Sequence, residues 1–349
     1  MKYLAYMAAG VAVTAMMPAM AQAQERVVFA STGGVFEQAL REAWFTPFTA
    51  ETGIEVVSVT ATDAEMRARA QAMVQAGDVT WDIINNVDIL AESAQNRAFT
   101  IDLAEFCQQF EDRADLVDKA CNPAGVRLSL NGTLLVYNTQ DFPDGGPTTW
   151  QEFWDVANFP GPRALPNLSD PWRVFAGALL ADGVPADQLF PLDIDRALAK
   201  LDEIRPEVEL WWRTGDQSQQ GFRSGEYVTG MIWGTRANAL KDEDQPIAMS
   251  FDGAFMLADT LQILQNAPHQ ENALKLVQYY LNNPAVQANF AKQFGITPPS
   301  SDAVALLDDE ARSKIPSPDE FKKTVQHDSE WISANQEKLA DAWNDWITQ

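Results

Sequence analysis

The sequence predicts an α/β protein in which a parallel sheet is begun, interrupted by a second α/β unit, and then resumed. Three observations carry this expectation. From Arg26 to Val87, apolar runs of strand length alternate with amphipathic runs of helix length, the order that builds βαβ crossovers. Beyond about residue 125 that order breaks, and a second strand-and-helix series occupies about residues 135 to 248. The strands and helices that follow have no place in the second unit, and the simplest account returns the chain to the first. A length of 349 residues suits two such units, and 46% hydrophobic content leaves material for a large core.

Taken in order, "RVVFASTGG" is an apolar strand that runs into a turn of small residues. "VFEQALREAWFTPFTAETG" follows, with Phe36, Leu40, Trp44 and Phe48 on one helical face and Gly53 as its stop. "IEVVSVTA" is a second strand, and "DAEMRARAQAMVQAG" a second helix closed by Gly77. "WDIINNV" is a third strand, continuous and apolar as buried parallel strands are. In "GVRLSLNGTLLVYNTQ" two short apolar runs flank Asn131-Gly132, and the Pro- and Gly-rich "DFPDGGPTTW" leads into a new helix. "PLDIDRALAKLDEIRP" is an amphipathic helix with a proline stop, and "VTGMIWG" is a strand. No internal repeat or low-complexity tract is visible.

The N-terminus joins Lys2, an apolar run from Tyr3 to Met20, and small residues at Ala21 and Ala23. That is the pattern of a secretory signal cut after Ala23; the competing reading is a membrane anchor. Export changes how Cys107 and Cys121 read, since an oxidising compartment favours a disulfide over two buried thiols. With two Cys and two His in all, a zinc site is poorly supported.

A net charge of −24 with no basic cluster argues against nucleic acid as a partner. The chain has no G-x-S-x-G elbow, P-loop, dinucleotide fingerprint or H-E-x-x-H. A carboxylate pair for glycoside cleavage has ample material among 49 acidic residues, which is also why any such pair carries little weight. "ELWWRTGDQSQQGFRSGEYVTGMIWGTRANAL" raises a different question. Trp211 and Trp212 are adjacent, so on a strand they point to opposite faces, and Arg213 and Arg236 stand beside Trp212 and Trp233.

The order of "VVFASTGGVFEQALREAWFTPFTAETGIEV", "WDIINN", "GTLLVYNT", "PTTWQEFWD", "LFPLDIDRALAKLDEIRP", "LWWRTGDQSQQ" and "MIWGTRA" resembles the extracellular solute-binding proteins of ABC importers, most closely the spermidine/putrescine branch. The resemblance implies a type II periplasmic-binding-protein fold of two α/β lobes joined by hinge strands, with the ligand in the cleft between them. It implies no catalytic residue, no cofactor and no metal, a monomeric periplasmic receptor, and an inner-membrane permease as partner. Lobe 1 is then expected over 24–134 plus 249–301, and lobe 2 over 135–248 plus 302–349.

The resemblance carries cleft roles to the turn of Ser31, Thr32, Gly33 and Gly34, to Asn85 and Asn86 at the third strand's end, and to Asp170 and Asp259, with Thr32, Gly33 and Asn86 the first choices of the turn and strand end. Polyamine binders have an aromatic residue where this chain has Leu257, and a second acidic residue where it has Arg173. An indole can clasp an alkylammonium, and an Arg can hold a carboxylate by two parallel bonds. Trp212, Trp233, Arg213, Arg173 and Arg236, with Asp259, therefore suit an amino-acid-like zwitterion of the 4-aminobutyrate type, with Arg213 the first choice for the carboxylate. A polyamine is the alternative, and a secreted carboxylate-dependent glycosidase the reading from another class.

Overall fold

A computed structural model describes residues 25–168 and 170–349 of the chain, so the expected signal segment lies outside the described residues. Nine strands form one sheet: β1 (Arg26–Ser31), β2 (Glu55–Thr60), β3 (Ile83–Val87), β4 (Cys121–Asn122), β5 (Gly125–Asn138), β6 (Arg163–Pro166), β7 (Val208–Trp212), β8 (Thr229–Trp233) and β9 (Ile247–Ile263). Their spatial order is β2-β1-β3-β9-β5-β8-β6-β7, with β4 beside β5. β1 runs parallel to β2 and β3, and β6 runs parallel to β7 and β8. Between these two parallel blocks lie β5 and β9, antiparallel to each other and long enough to belong to both.

Asn131-Gly132 therefore joins the two apolar runs into one strand. It lies inside the 14-residue β5, where a Cβ on Gly132 would come 3.0 Å from the Met256 sulfur of β9. Glycine here lets the two connecting strands approach closely. β9 in turn bulges around Gly253, whose positive φ of 70° a side chain would strain and whose carbonyl accepts a 2.9 Å bond from Trp150 Nε1. The first amphipathic helix runs on from Gly34 to Thr52 through a π turn at Arg41–Phe45. That wide turn lies just ahead of Pro47, which has no N–H to donate.

Strand alternation sorts the core into layers on the two faces of each block. Val27 and Phe29 pack with Trp44 and Tyr280 on one side of the first block, and Val28 and Ala30 with Ile84 and Met66 on the other. In the second block Trp212, Leu134 and Ile232 share one cluster, while Leu135, Phe175, Trp343 and Trp346 form the opposite one. Trp211 leans onto Trp343 and Trp346, each ring 5.7 Å away, so the adjacent tryptophans do face opposite ways.

Phe251, Ala254 and Phe255 of β9 belong to the second block's clusters. Ala303, Leu307, Ala311 and Ile315 pack into the first block's cluster, and Val325 into the second's. A continuous apolar strand has no sequence mark at the point where its two faces change partners. Cys107 and Cys121 are disulfide-bonded, with Cα atoms 5.3 Å apart; closing a loop of this length stabilises by about 3 kcal/mol in the chain-entropy account.

Candidate functional site

In open α/β sheets, ligands sit beyond the carboxyl ends of parallel strands. Here those ends are Ser31, Thr60 and Val87 in the first block, and Pro166, Trp212 and Trp233 in the second. In the second block the helices Gly215–Ser224 and Gly234–Asp242 begin directly beyond β7 and β8. Helix N-termini carry partial positive charge, which favours an anionic group on this side.

On the first block the acidic centre is Asp259. It pairs across the sheet with Val87 of β3 and with Ser129 of β5, whose hydroxyl donates to Asp259 Oδ2 at 3.0 Å. Burial pushes the Asp259 carboxyl up to about 6; the charges of Asp63 and Asp88 add to the rise and the Ser129 bond opposes it. Such a carboxyl lacks a cation. Asn86 does not join it. Its side chain is buried on the other face of β3 and donates to Gln262 Oε1 at 2.9 Å, while the Gln262 amide bonds the carbonyls of Ala91 and Ala124. Asn85, one residue earlier, has the parity of Ile83 and so shares the face of Asp259. Its Oδ1 is buried with no partner. The Thr32-Gly33 turn is explained sterically, since Gly33 has φ 76° and a Cβ there would collide with the Thr60 side chain. Thr32 itself is exposed.

On the second block the decisive side chain is Arg173, in the first turn of the helix Trp172–Ala181. It is 6% exposed. Its Nη1 donates to Asp170 Oδ2 at 2.8 Å, and the guanidinium lies 4.9 Å from the Trp172 ring centre. Its Nε is buried without a partner. Arg173 and Asp170 line a cavity of about 310 Å³ together with Val87, Leu257 and Gln336. They also line an adjoining crevice with Thr133, Leu168 and Trp233. Val87 is the sheet partner of Asp259. The fold thus gathers Asp170, Arg173, Trp233 and Leu257, with Asp259 one strand position away.

Three expected contacts are not gathered there. Trp212 is 0% exposed, donates from Nε1 to the Met231 carbonyl at 2.9 Å, and supports Trp233 edge-on at 5.3 Å. It is core. Arg213 is exposed at the end of β7 and stands in no ion pair among the described residues, so solvent screens it. Arg236, like Arg173, has an acidic neighbour, Asp216 at 3.1 Å, and bonds Gln219 at 3.1 Å, but its side chain is 38% exposed where that of Arg173 is 8%, so solvent meets its charge. Conversely, Ser129, Thr133 and Gln336 went unnoticed in the sequence. Ser129 had a signal, a lone polar residue in the apolar run "VRLSL". Gln336 had none of its own, since the resemblance returns 302–349 to lobe 2 without singling out any residue there.

A larger cavity of about 500 Å³ lies against the disulfide loop, away from the strand ends. Its Arg113 is already satisfied by two bonds of 2.6 and 2.7 Å to Asp115.

Two parallel blocks joined by crossing strands, with convergent polar groups between them, define a two-lobe binding protein. The chain belongs to the bacterial extracellular solute-binding protein family, whose model matches residues 43–325. It is 28% identical to the gamma-aminobutyric acid-binding protein of Pseudomonas aeruginosa over 95% of this chain and 93% of that one. To the spermidine/putrescine-binding periplasmic protein of Escherichia coli K12 it is 25% identical, over 82% of this chain and 79% of the other. The structure of the PBP AttC from Agrobacterium tumefaciens C58, open and unliganded, superposes with a TM-score of 0.87 at 50% identity, covering 93% of this chain and 99% of AttC. The first two of these relatives are named for the amines they bind. No helix among the described residues is long and apolar enough to cross a membrane.

Proposed function

We propose that this chain is the exported, periplasmic receptor of an ABC importer, and that its cleft selects a small amine-bearing carboxylate of the 4-aminobutyrate kind. The observation that carries the reading is Arg173, a buried guanidinium whose Nε has no partner on the wall of the cavity. Asp170, itself half exposed, meets only Nη1, and a buried guanidinium left partly unpaired is costly until a further acceptor meets it. Asp259 presents the reverse need, and an ammonium held there would be shared with Ser129 and faced by the Trp233 ring. A ligand with one charge of each sign satisfies both ends. The relative named for gamma-aminobutyric acid supports this choice.

The lobes hinge where the chain passes between blocks, at Asn131–Thr133, at Met256–Leu257 and between Ile315 and Val325. Closure brings Arg173 toward Asp259 and excludes water, which strengthens both charge pairs. The closed form then presents itself to a permease, as a monomer, with no cofactor and no catalytic residue. Cleavage after Ala23 delivers the chain to the periplasm.

Polyamine binding is the second reading, favoured by the spermidine/putrescine relatives and by Asp259. A diamine would place an ammonium beside Arg173, and Leu257 offers it no aromatic face. Mass spectrometry of ligand released from freshly purified protein, followed by calorimetry with 4-aminobutyrate, ornithine, putrescine and spermidine, tests the choice. Binding confined to the carboxylate-free amines would overturn the zwitterion reading.

A further inference from the structure

The connecting ribbon has two faces, and only one turns toward the cleft. Leu257 lines the cleft cavity, whereas its neighbours Met256 and Ala258 point the other way and cluster with Leu130, Val117 and Phe321. Behind the ribbon, against this cluster, lies a second cavity of about 330 Å³, within the size range of small-molecule sites. Its walls come from the first block, from both connecting strands and from the last crossing.

Three basic residues line this rear cavity, the exposed Lys119 and two from more buried positions, Arg127 and His327. Arg127 bonds the Asp118 carbonyl through Nη1 at 2.7 Å, but its buried Nε has no partner and it stands in no ion pair among the described residues. Burial pulls its guanidinium below the usual range, against the opposing pull of Asp88, Glu92 and Asp118. Arg163 shows what a settled buried arginine looks like in this same protein. It is fully buried, and it gives three bonds of 2.6 to 2.8 Å to the carbonyls of Phe153, Phe159 and Gly161. Arg127 has one. The second group is His327, whose side chain is 7% exposed. Its Nε2 lies 3.3 Å from Asp88 Oδ2, too poorly aligned for a full hydrogen bond, yet against the rise from burial the contact helps hold the Asp88 carboxyl below its usual range.

We infer that this rear cavity is a second ligand site, separate from the cleft, that takes a short-chain aliphatic monocarboxylate. The carboxylate meets Arg127 Nε and His327, and the chain lies on Leu130, Met256, Phe321 and Val117. The unused Arg127 Nε is a donor on a charged group, which selects an anionic acceptor. The apolar wall selects an aliphatic tail. Asp118 and Asp88 both line the cavity and limit the charge it accepts, and Asp88 is the buried one. Its oxygens already accept from the backbone of Ile89 at 2.9 Å and of Ala258 at 3.2 Å, so it stays ionised and repels a dianion more than a monoanion. Inorganic phosphate is therefore the poorer occupant.

The test uses the mature chain with labelled Met, Leu and Val methyl groups, in an Arg173→Ala background that removes the carboxylate subsite proposed for the cleft. Titration with sodium butyrate is expected to give saturable shifts at the Met256, Leu130 and Val117 methyls, with Leu257 and Leu168 silent. Butylamine should shift none of them. Arg127→Gln should weaken the butyrate response at least about tenfold, the loss of one hydrogen bond to a charge. Val117→Phe, which fills the cavity and leaves the charges in place, should abolish the response at Met256 and Leu130 even if the Arg127 variant fails to fold. Shifts confined to Leu257 and Leu168, an unchanged response in either variant, or a drift matched by sodium chloride would overturn the inference.

Discussion

Replacing Arg173 by methionine keeps the side-chain length and removes the charge, and the structure sets its cost in two states. In the unliganded protein the losses are small. The Asp170 side chain is 47% exposed, so that pair is worth about 0–1 kcal/mol, and stacking on Trp172 adds about 0.5–1 kcal/mol. Against them stands the relief of a buried guanidinium with an unpartnered Nε. The unliganded melting temperature should move by no more than a few degrees. In the liganded protein Arg173 meets a carboxylate in a closed cleft, and breaking a desolvated charge pair costs about 2–5 kcal/mol, roughly 30-fold to several thousand-fold in affinity. Calorimetry should show that loss for 4-aminobutyrate, while putrescine binds as before or better. Arg213→Ala, at an exposed position, should change 4-aminobutyrate affinity less than about threefold. Retained 4-aminobutyrate affinity in Arg173→Met, or equal loss of both ligands from a natively melting variant, would refute the reasoning.

Protonation of Asp259 gives a second expectation. Because its folded pKa is raised to about 6, burial of the carboxylate lowers unliganded stability above pH 6, and that deficit disappears as pH falls from about 6 toward the ordinary carboxyl range near 4. Amine affinity runs the opposite way and weakens as pH drops through 6; Asp259→Asn should abolish binding while raising unliganded stability at pH 8 by about 1–3 kcal/mol, measured by denaturant melts. Trp212→Phe should cost about 1–3 kcal/mol in the same melts through the lost Met231 bond and lost volume. It should leave affinity within about threefold, whereas Trp233→Ala should weaken binding by roughly 3- to 30-fold. Thiol labelling of unreduced, denatured protein should find no reactive cysteine, and reduction should lower stability by about 3 kcal/mol.

Much of the fold was legible because it follows from local pattern. The helix face of Phe36, Leu40, Trp44 and Phe48, the strand "WDIINN" and the stops at Gly53 and Gly77 each need only their neighbours in sequence. The disulfide needed only a compartment and two cysteines. The opposite faces of Trp211 and Trp212 followed from strand alternation alone. The proposed site was half legible. Asp259 and Arg173 came with the family resemblance, since a motif carries a residue to its position in the chain.

Tertiary structure alone decided which of these positions reach the cleft. Nothing local distinguishes Arg213 from Arg173, yet one ends a strand in solvent and the other opens a helix under the opposite lobe. Asn85 and Asn86 differ by one residue, and so by the whole thickness of the sheet. The points where β5 and β9 change lobes, and the return of Gln336 to the cavity, depend on contacts between residues far apart in the chain. Burial and partnership are properties of that packing, so the sequence supplied the charges and the fold chose which of them would be left without a partner.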